Sequence, residues 1–317
     1  MTDKTIAVLP ALLQPHLEGK LPGWLEVRWF KTRGEAWTLA PHADIGWFDM
    51  PIKPDMANAA SLATRMKWMN SGLAGMDGLP LQELQQRGVI LTNGAGINAV
   101  TIAEYVVMGM LTIAKNYREV VRAQDRREWL RDSPGKAELA GSHALMVGYG
   151  AIGKMVEERL NAFGVRVTAV RRNADASGKV LGPKAWQARL GEFDWVILAV
   201  PATSETDHLV GAAELARMKP TAVLMNFARG SIVDQDALVS ALRDKKIAAA
   251  FLDVTDPEPL PADHPLWSLD NVHISMHLSG RSQTRMFERA AERFLENLVR
   301  FRAGDALHFQ VDLSTGY

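Results

Sequence analysis

The stretch HALMVGYGAIGKMVEERL, residues 143–160, decides the fold. HALMV reads as a buried strand, and KMVEERL has the apolar spacing of a helix. Between them Gly148, Gly150 and Gly153 stand in G-x-G-x-x-G spacing. That spacing takes its meaning from the strand before it and the helix after it. The first glycine makes a tight turn, the second lets the backbone approach a pyrophosphate, and the third allows close packing of helix on strand. Ala151 and Ile152 then open a helix whose free N–H groups and dipole favour phosphate.

Working outward, the apolar runs VRVTAV (165–170), WVILAV (195–200), AVLMNFA (222–228), AAAFLDV (248–254) and VHISMH (272–277) follow in series. They are continuous rather than alternating, as in parallel strands covered on both faces. Helical stretches such as DQDALVSALRDKK separate them. VRVTAV would end on an acidic residue if the dinucleotide carried a free ribose 2′-hydroxyl. It runs instead into Arg171, Arg172 and Asn173, and guanidinium groups there suit a 2′-phosphate. NADP is therefore the expected cofactor, with NAD as the alternative.

The first hundred residues carry a second set of short runs: TIAVL (5–9), EVRWF (26–30), DIGWF (44–48), MKWMN (66–70) and VILTN (89–93). Strands alternating with helices predict another parallel sheet. TIAEYVVMGMLTIAKN (101–116) is apolar almost all round, which predicts a buried helix. RSQTRMFERAAERFLENLVRFRAG (281–304) places Phe287, Ala290, Ala291, Phe294, Leu295 and Leu298 on one stripe and ends at Gly304. The expected organisation is two α/β domains: a flavodoxin-like substrate domain from 1–98 and 281–317, and a Rossmann dinucleotide-binding domain from 99–280. A cleft between the two is expected to hold the active site.

Bulk composition narrows the function classes. The 36 basic and 36 acidic side chains leave no net field for nucleic acid or anionic membrane. Cysteine is absent, which excludes disulfides, thiolate nucleophiles and cysteine-based zinc sites. No metal is expected. The N-terminal apolar run is broken by Pro10 and Pro15, and no window approaches the roughly 18 apolar residues of a membrane span. A cytoplasmic location is the expectation.

In open parallel sheets ligands bind beyond the carboxyl ends of the strands. Arg229 closes one such run, Glu258 lies in the loop after the next, and His277 closes the last. An arginine can grip a substrate carboxylate in bidentate fashion. A histidine can protonate a carbonyl oxygen as hydride reaches carbon, and a carboxylate bonded to it stabilises imidazolium. The set suits reduction of a 2-oxo acid. His273, four residues back in the strand, and His264, among prolines, read as structural, and Asp256 as a turn former. Trp47 and Met50, at the end of a strand, are candidates to cover a substrate.

The motifs MKWMNSGLAGMDGL (66–79), GVILTNGAG (88–96) with TIAEYVV (101–107), VGYGAIG, VPATSETDHLV (200–210), NFARGSIVDQDAL (226–238), LDVTDPEPLP (252–261) and PLWSLDNVHISMHLSG (265–280) follow in order. Over nearly its whole length the chain resembles the D-isomer-specific 2-hydroxyacid dehydrogenases. The C-terminus QVDLSTGY, together with PLWSLDNV, is similar to the glyoxylate/hydroxypyruvate reductase A branch. The resemblance implies NADPH-dependent reduction of small 2-oxo acids, with Arg229 binding substrate, Glu258 orienting His277, and His277 as acid/base. It assigns Leu73, Ala74 and Gly75 to the substrate carboxylate. It assigns Thr101, Val200, Pro201, Thr206, Phe227, Ala228 and Asp253 to the cofactor, Asp253 at the nicotinamide carboxamide. A homodimer, with an arm over 116–132, is implied as well. Many relatives have proline immediately before the catalytic histidine, whereas Met276 stands there here. Two other readings share these motifs: a dinucleotide-sensing corepressor, and a phosphoglycerate dehydrogenase. The length of 317 residues is expected to leave no room for the regulatory additions of either.

Overall fold

A computed structural model of the chain describes residues 4–76, 78–172, 179–281 and 283–314. It has two compact units, Met1–Asn98 with Gln283–Tyr317, and Ala99–Ser282.

The second unit is built on a parallel seven-stranded sheet. Its strands are β6 (His143–Val147), β7 (Arg166–Val170), β8 (Val180–Leu181), β9 (Trp195–Leu198), β10 (Val223–Asn226), β11 (Ala249–Leu252) and β12 (Val272–Ile274), in the order β12-β11-β10-β9-β6-β7-β8. Leu145 and Val147 join the core on one face, Ala144 and Met146 the core on the other. The same alternation in β9, β10 and β11 explains why these strands read as unbroken apolar runs. β8 escapes sequence reading because two residues carry no pattern. The chain builds outward from β6 through β7 to β8, then returns to β9 on the other flank. The sheet therefore reverses direction between β6 and β9, the point where open α/β sheets bind ligands.

The 101–116 prediction corresponds to a helix at Ala99–Ala114. Ala103, Val106 and Met110 are buried against the sheet, but Met108 is 44% exposed. Burial all round is thus corrected to burial on one face.

The other unit carries β1 (Thr5–Pro10), β2 (Leu25–Phe30), β3 (Ile45–Gly46), β4 (Trp68–Asn70) and β5 (Ile90–Thr92), parallel, in the order β2-β1-β3-β4-β5. Val8 faces one core, and Ala7 and Leu9 the other. The last helix, Met286–Ala303, lays Ala290, Ala291, Phe294 and Leu298 into the second of these cores, with the Phe294 ring 5.1 Å from Trp68 and 5.3 Å from Trp47. Gly304 closes it with φ 77°. The helix starts later than the predicted residue 281 because Gln283 is used as a tie. Its Nε2 donates to Asn98 Oδ1 (2.7 Å) and its Oε1 accepts from Arg289 (2.8 Å). Phe287, predicted on the stripe, is 40% exposed.

Candidate active site

The three residues expected to carry chemistry follow three adjacent strands. At the end of β10, buried Asn226 folds the exit turn: its Oδ1 accepts from Ala228 N (3.0 Å) and its Nδ2 donates to Arg229 O (2.9 Å). Arg229 Nη1 donates to Ala228 O at 2.7 Å. A Cβ on Gly230 would lie 2.0 Å from Thr255 O, so this turn and the loop after β11 touch backbone to backbone. That close approach requires the glycine.

In the next loop Glu258 Oε1 accepts from Thr255 N (3.3 Å), and its Oε2 lies 2.7 Å from His277 Nδ1. The two side chains are 40% and 39% exposed, so the pair is open to an incoming molecule. With Nδ1 taken, Nε2 is the nitrogen able to meet a substrate oxygen. The pair opens on a cavity of about 420 Å³ with walls from Leu260, Trp267, Ile274 and Met276. β12 was expected to run to His277 but ends at Ile274, because Met276 and His277 adopt left-handed φ values of 52° and 56°.

The glycine turn has the stereochemistry its spacing predicts. Gly148 has φ 101°, and a Cβ there would come within 2.3 Å of Ala199 O at the end of β9. A Cβ on Gly153 would lie 2.4 Å from Gly148 O. Gly150, by contrast, faces open space, at the N-terminus of the Ala151–Ala162 helix, which has no side-chain cap. The amides that open this helix with Ala151 and Ile152 fit a pyrophosphate. The Tyr149 hydroxyl is tied to Glu157, whose other oxygen meets Lys179 Nζ at 2.7 Å. Arg171 and Arg172 are exposed after β7, and Asn173 lies outside the described residues. These donors fit the pyrophosphate of a dinucleotide.

Other residues assigned to the cofactor are placed as follows. Val200, Pro201 and Thr206 lie in the loop after β9, where Thr206 Oγ1 donates to Pro201 O (2.7 Å) and accepts from Thr203 N (2.8 Å). Phe227 and Ala228 bury their side chains, Phe227 stacked on Phe251 at 5.5 Å, so only their main chains could meet a ligand. Thr101 is buried and donates to Ser279 O at 2.9 Å. Asp253 is 3% exposed, and its carboxylate is engaged by Ser275 and Ser279.

Within the other unit, Leu73, Ala74 and Gly75 form a braced loop. Asp49 accepts from Ser71 Oγ (2.6 Å), Gly72 N (2.6 Å) and Trp47 Nε1 (2.7 Å). Burial pushes the Asp49 carboxyl above its ordinary range, opposed by the bonds from Ser71, Trp47 and Gly72. Leu73 N is taken by Ser71 Oγ (3.1 Å), whereas the Ala74 and Gly75 amides have no partner among the described residues. Trp47, a candidate cover for substrate, is 2% exposed and packed on Phe294 instead.

Sequence reading missed Asp49, Asn226, Ser275 and Ser279. Their only signal was position: an acid after WF, an amide closing an apolar run, and serines two residues either side of His277. His264 caps the turn at Pro265, its Nδ1 accepting from Leu266 N (3.2 Å). His273 stacks on Phe251 at 6.3 Å. Desolvation, then the charges of Arg118 and Arg122, push its pKa down to about 4.

The family model described as "D-isomer specific 2-hydroxyacid dehydrogenase, NAD binding domain" matches residues 107–279. A glyoxylate reductase of Korarchaeum cryptofilum is 36% identical over 270 residues, 80% of this chain and 78% of that protein. A D-isomer specific 2-hydroxyacid dehydrogenase family protein from Aeromonas salmonicida superposes with TM-score 0.86 at 29% identity, over 98% of this chain and 99% of that one. A D-isomer specific 2-hydroxyacid dehydrogenase from Xanthobacter autotrophicus, in complex with NADPH and MES, superposes with TM-score 0.79 at 26% identity, over 99% of each chain.

The depressed His273 sets a pH dependence. As pH falls from 6.5 towards 4 the unfolded chain takes up the proton first, so stability declines across that window. In His273→Phe the fall of Tm between pH 6.5 and 4 should be shallower than in the parent. An unchanged slope in thermal melts would place the acid sensitivity elsewhere.

Proposed function

Because the chain belongs to the D-isomer specific 2-hydroxyacid dehydrogenase family, we propose that it reduces small 2-oxo acids, glyoxylate and hydroxypyruvate foremost, to 2-hydroxy acids with NADPH. The observation that carries this reading is the 2.7 Å pairing of His277 Nδ1 with Glu258, beyond β11 and β12, with Arg229 beyond neighbouring β10. A reduced nicotinamide, when bound, supplies the hydride for the carbonyl carbon. The residues of the chain do the rest. Arg229 grips the substrate carboxylate, with the Ala74 and Gly75 amides proposed as further donors and Leu73 as their neighbour in the loop. His277 Nε2 gives its proton to the carbonyl oxygen, which becomes the hydroxyl. Glu258 holds the ring in orientation and balances the imidazolium before transfer. Gly148, Gly150, Gly153, Ala151 and Ile152 are assigned to the pyrophosphate, and Arg171 and Arg172 to the 2′-phosphate.

A homodimer through the cofactor-binding unit is also proposed. Trp129 is 94% exposed, an unusual state for so large an apolar surface. The exposed side of the Ala99–Ala114 helix offers a groove of about 600 Å³, lined by Val107, Met108, Leu111 and Phe163. A chain that presents both an apolar knob and an apolar groove suits a closed two-fold pair.

Initial rates of NADPH and NADH oxidation with glyoxylate, hydroxypyruvate, pyruvate and an aryl 2-oxo acid test the reaction. Turnover should favour NADPH and a small substrate, and His277→Asn should lower kcat by about 10²–10⁴-fold with cofactor affinity kept. Undiminished turnover in that variant would remove His277 from its role. Neutral replacement of Arg171 and Arg172 should weaken NADPH about tenfold or more while sparing NADH; equal losses would count against a 2′-phosphate site. Trp129→Glu should shift the species seen by light scattering from dimer to monomer, and no shift would reject the knob.

A further inference from the structure

Phe309 is an aromatic residue with a left-handed backbone, φ 58°. A bulky side chain enters that region only where its surroundings hold it there. Bonds on both sides of it do so. Asn297, buried in the last helix, accepts from His308 N (2.8 Å) and donates to His308 O (3.1 Å). Beyond them the tail runs antiparallel to β5, where Asn93 N donates to Phe309 O (3.1 Å) and Val311 N to Leu91 O (2.8 Å). The turn lays the Phe309 ring over the guanidinium of Arg293, with Cζ 3.7 Å from the ring centroid. Glycine would take the same turn without strain, so the path alone does not ask for phenylalanine.

Arg293 is half-buried. Its Nη1 donates to Ala95 O (2.7 Å) and lies 3.4 Å from Asn93 O. An aromatic face attracts a guanidinium without competing for its N–H groups. The 93–95 turn held in this way touches the loop after β4. Asn93 Nδ2 donates to Ala74 O (3.1 Å) and Gly94 N to Leu73 O (2.7 Å). A Cβ on Gly94 would lie 1.9 Å from Gly72 O, so the two turns meet backbone to backbone. Both bonds end on carbonyl oxygens of the loop, and the Ala74 and Gly75 amides stay without a partner among the described residues.

We propose that Arg293 and Phe309 are positioning residues for the 2-oxo acid: the stacked pair fixes the 93–95 turn, and that turn sets where the Ala74 and Gly75 amides stand. The proposal rests on the reading of those amides as donors to the substrate carboxylate. Asn93 carries the coupling. It is buried, and its Oδ1 accepts from Ala95 N (3.1 Å) while its Nδ2 holds Ala74 O, so a displacement of Ala95 passes to the loop. Arginine suits the position because one planar group both stacks and donates, which an ammonium does less well. All these residues lie in the unit that does not carry the glycine turn, which makes cofactor affinity an independent readout.

Phe309→Gly, Phe309→Tyr and Arg293→Met are compared with the parent for KM of glyoxylate, kcat, NADPH affinity by fluorescence titration, and Tm. Phe309→Gly removes the ring and relieves the left-handed residue, so loss of the stack is read without added backbone strain. KM should rise about tenfold in Phe309→Gly and in Arg293→Met, the scale of one weakened hydrogen bond to a charged group. NADPH affinity and kcat should stay near parental. Phe309→Tyr, which keeps an aromatic face, should return KM to the parental range. Parental KM in Phe309→Gly would overturn the proposal, as would a Phe309→Tyr variant as impaired as Phe309→Gly. Loss of NADPH affinity matching the rise in KM would overturn it too, because the effect would then not be confined to the loop. Should Arg293→Met fail to fold, the two Phe309 variants decide alone. Gly75→Pro, which lacks one of the two N–H groups, separates the proposal from its premise. Parental KM there would remove the loop from the substrate. A raised KM there, beside parental KM in Phe309→Gly, would overturn the brace alone.

Discussion

Where the chain leaves β6, nothing larger than a hydrogen atom fits on Gly148. A methyl group there would sit 2.3 Å from Ala199 O and 2.6 Å from Ala199 C. β6 and β9 are neighbours in the sheet but diverge from each other in connectivity, so this contact is the floor of the ligand crevice. Its tightness puts the Ala151–Ala162 helix directly behind the turn, and Gly153 lets that helix close on Gly148 O. A bulkier residue at either position would lift the helix and carry its N–H groups away from the crevice. The rest of the second unit is arranged around that point, with β7 and β8 on one flank and the strands bearing Arg229, Glu258 and His277 on the other.

This explains why so much of the fold is legible in the sequence. The inner strands are buried on both faces, so each announces itself as an apolar run, and the steric demand on Gly148 and Gly153 leaves no choice of residue. Every strand of three or more residues was visible in this way. β8, two residues long, was not. Arg229, Glu258 and His277 could be singled out because strand ends are where ligands meet such sheets. The groups that fold the turns around them could not. Asn226 looks like a polar interruption of an apolar strand, and Ser275 and Ser279 look like loop filler. Their meaning lies in hydrogen bonds to main-chain groups nearby in space, and one-dimensional pattern carries no record of those.

Two errors of the apolar pattern share one cause. Trp47 was read as a cover for substrate, and the Ala99–Ala114 helix as buried all round. Hydrophobicity states that a surface needs covering but not what covers it. For Trp47 the partner is Phe294, contributed from the far end of the chain, 247 positions on. On the outer face of the Ala99–Ala114 helix Met108 remains 44% exposed.

The exposed arginines after β7 and the Glu258–His277 pair stand far apart on the same sheet. Arg171 and Arg172 follow β7, while Arg229 follows β10, three strands away in the order β10-β9-β6-β7. At about 4.8 Å per strand that is roughly 14 Å, and β12 lies about 24 Å off. Both exceed the screening length of about 8 Å at physiological ionic strength. A guanidinium after β7 therefore acts on what lies beside it and barely on the Glu258–His277 pair. Residues after β10 to β12 lack that separation. Asn226, Gly230 and Asp253 each hold the main-chain path at one of these strand exits.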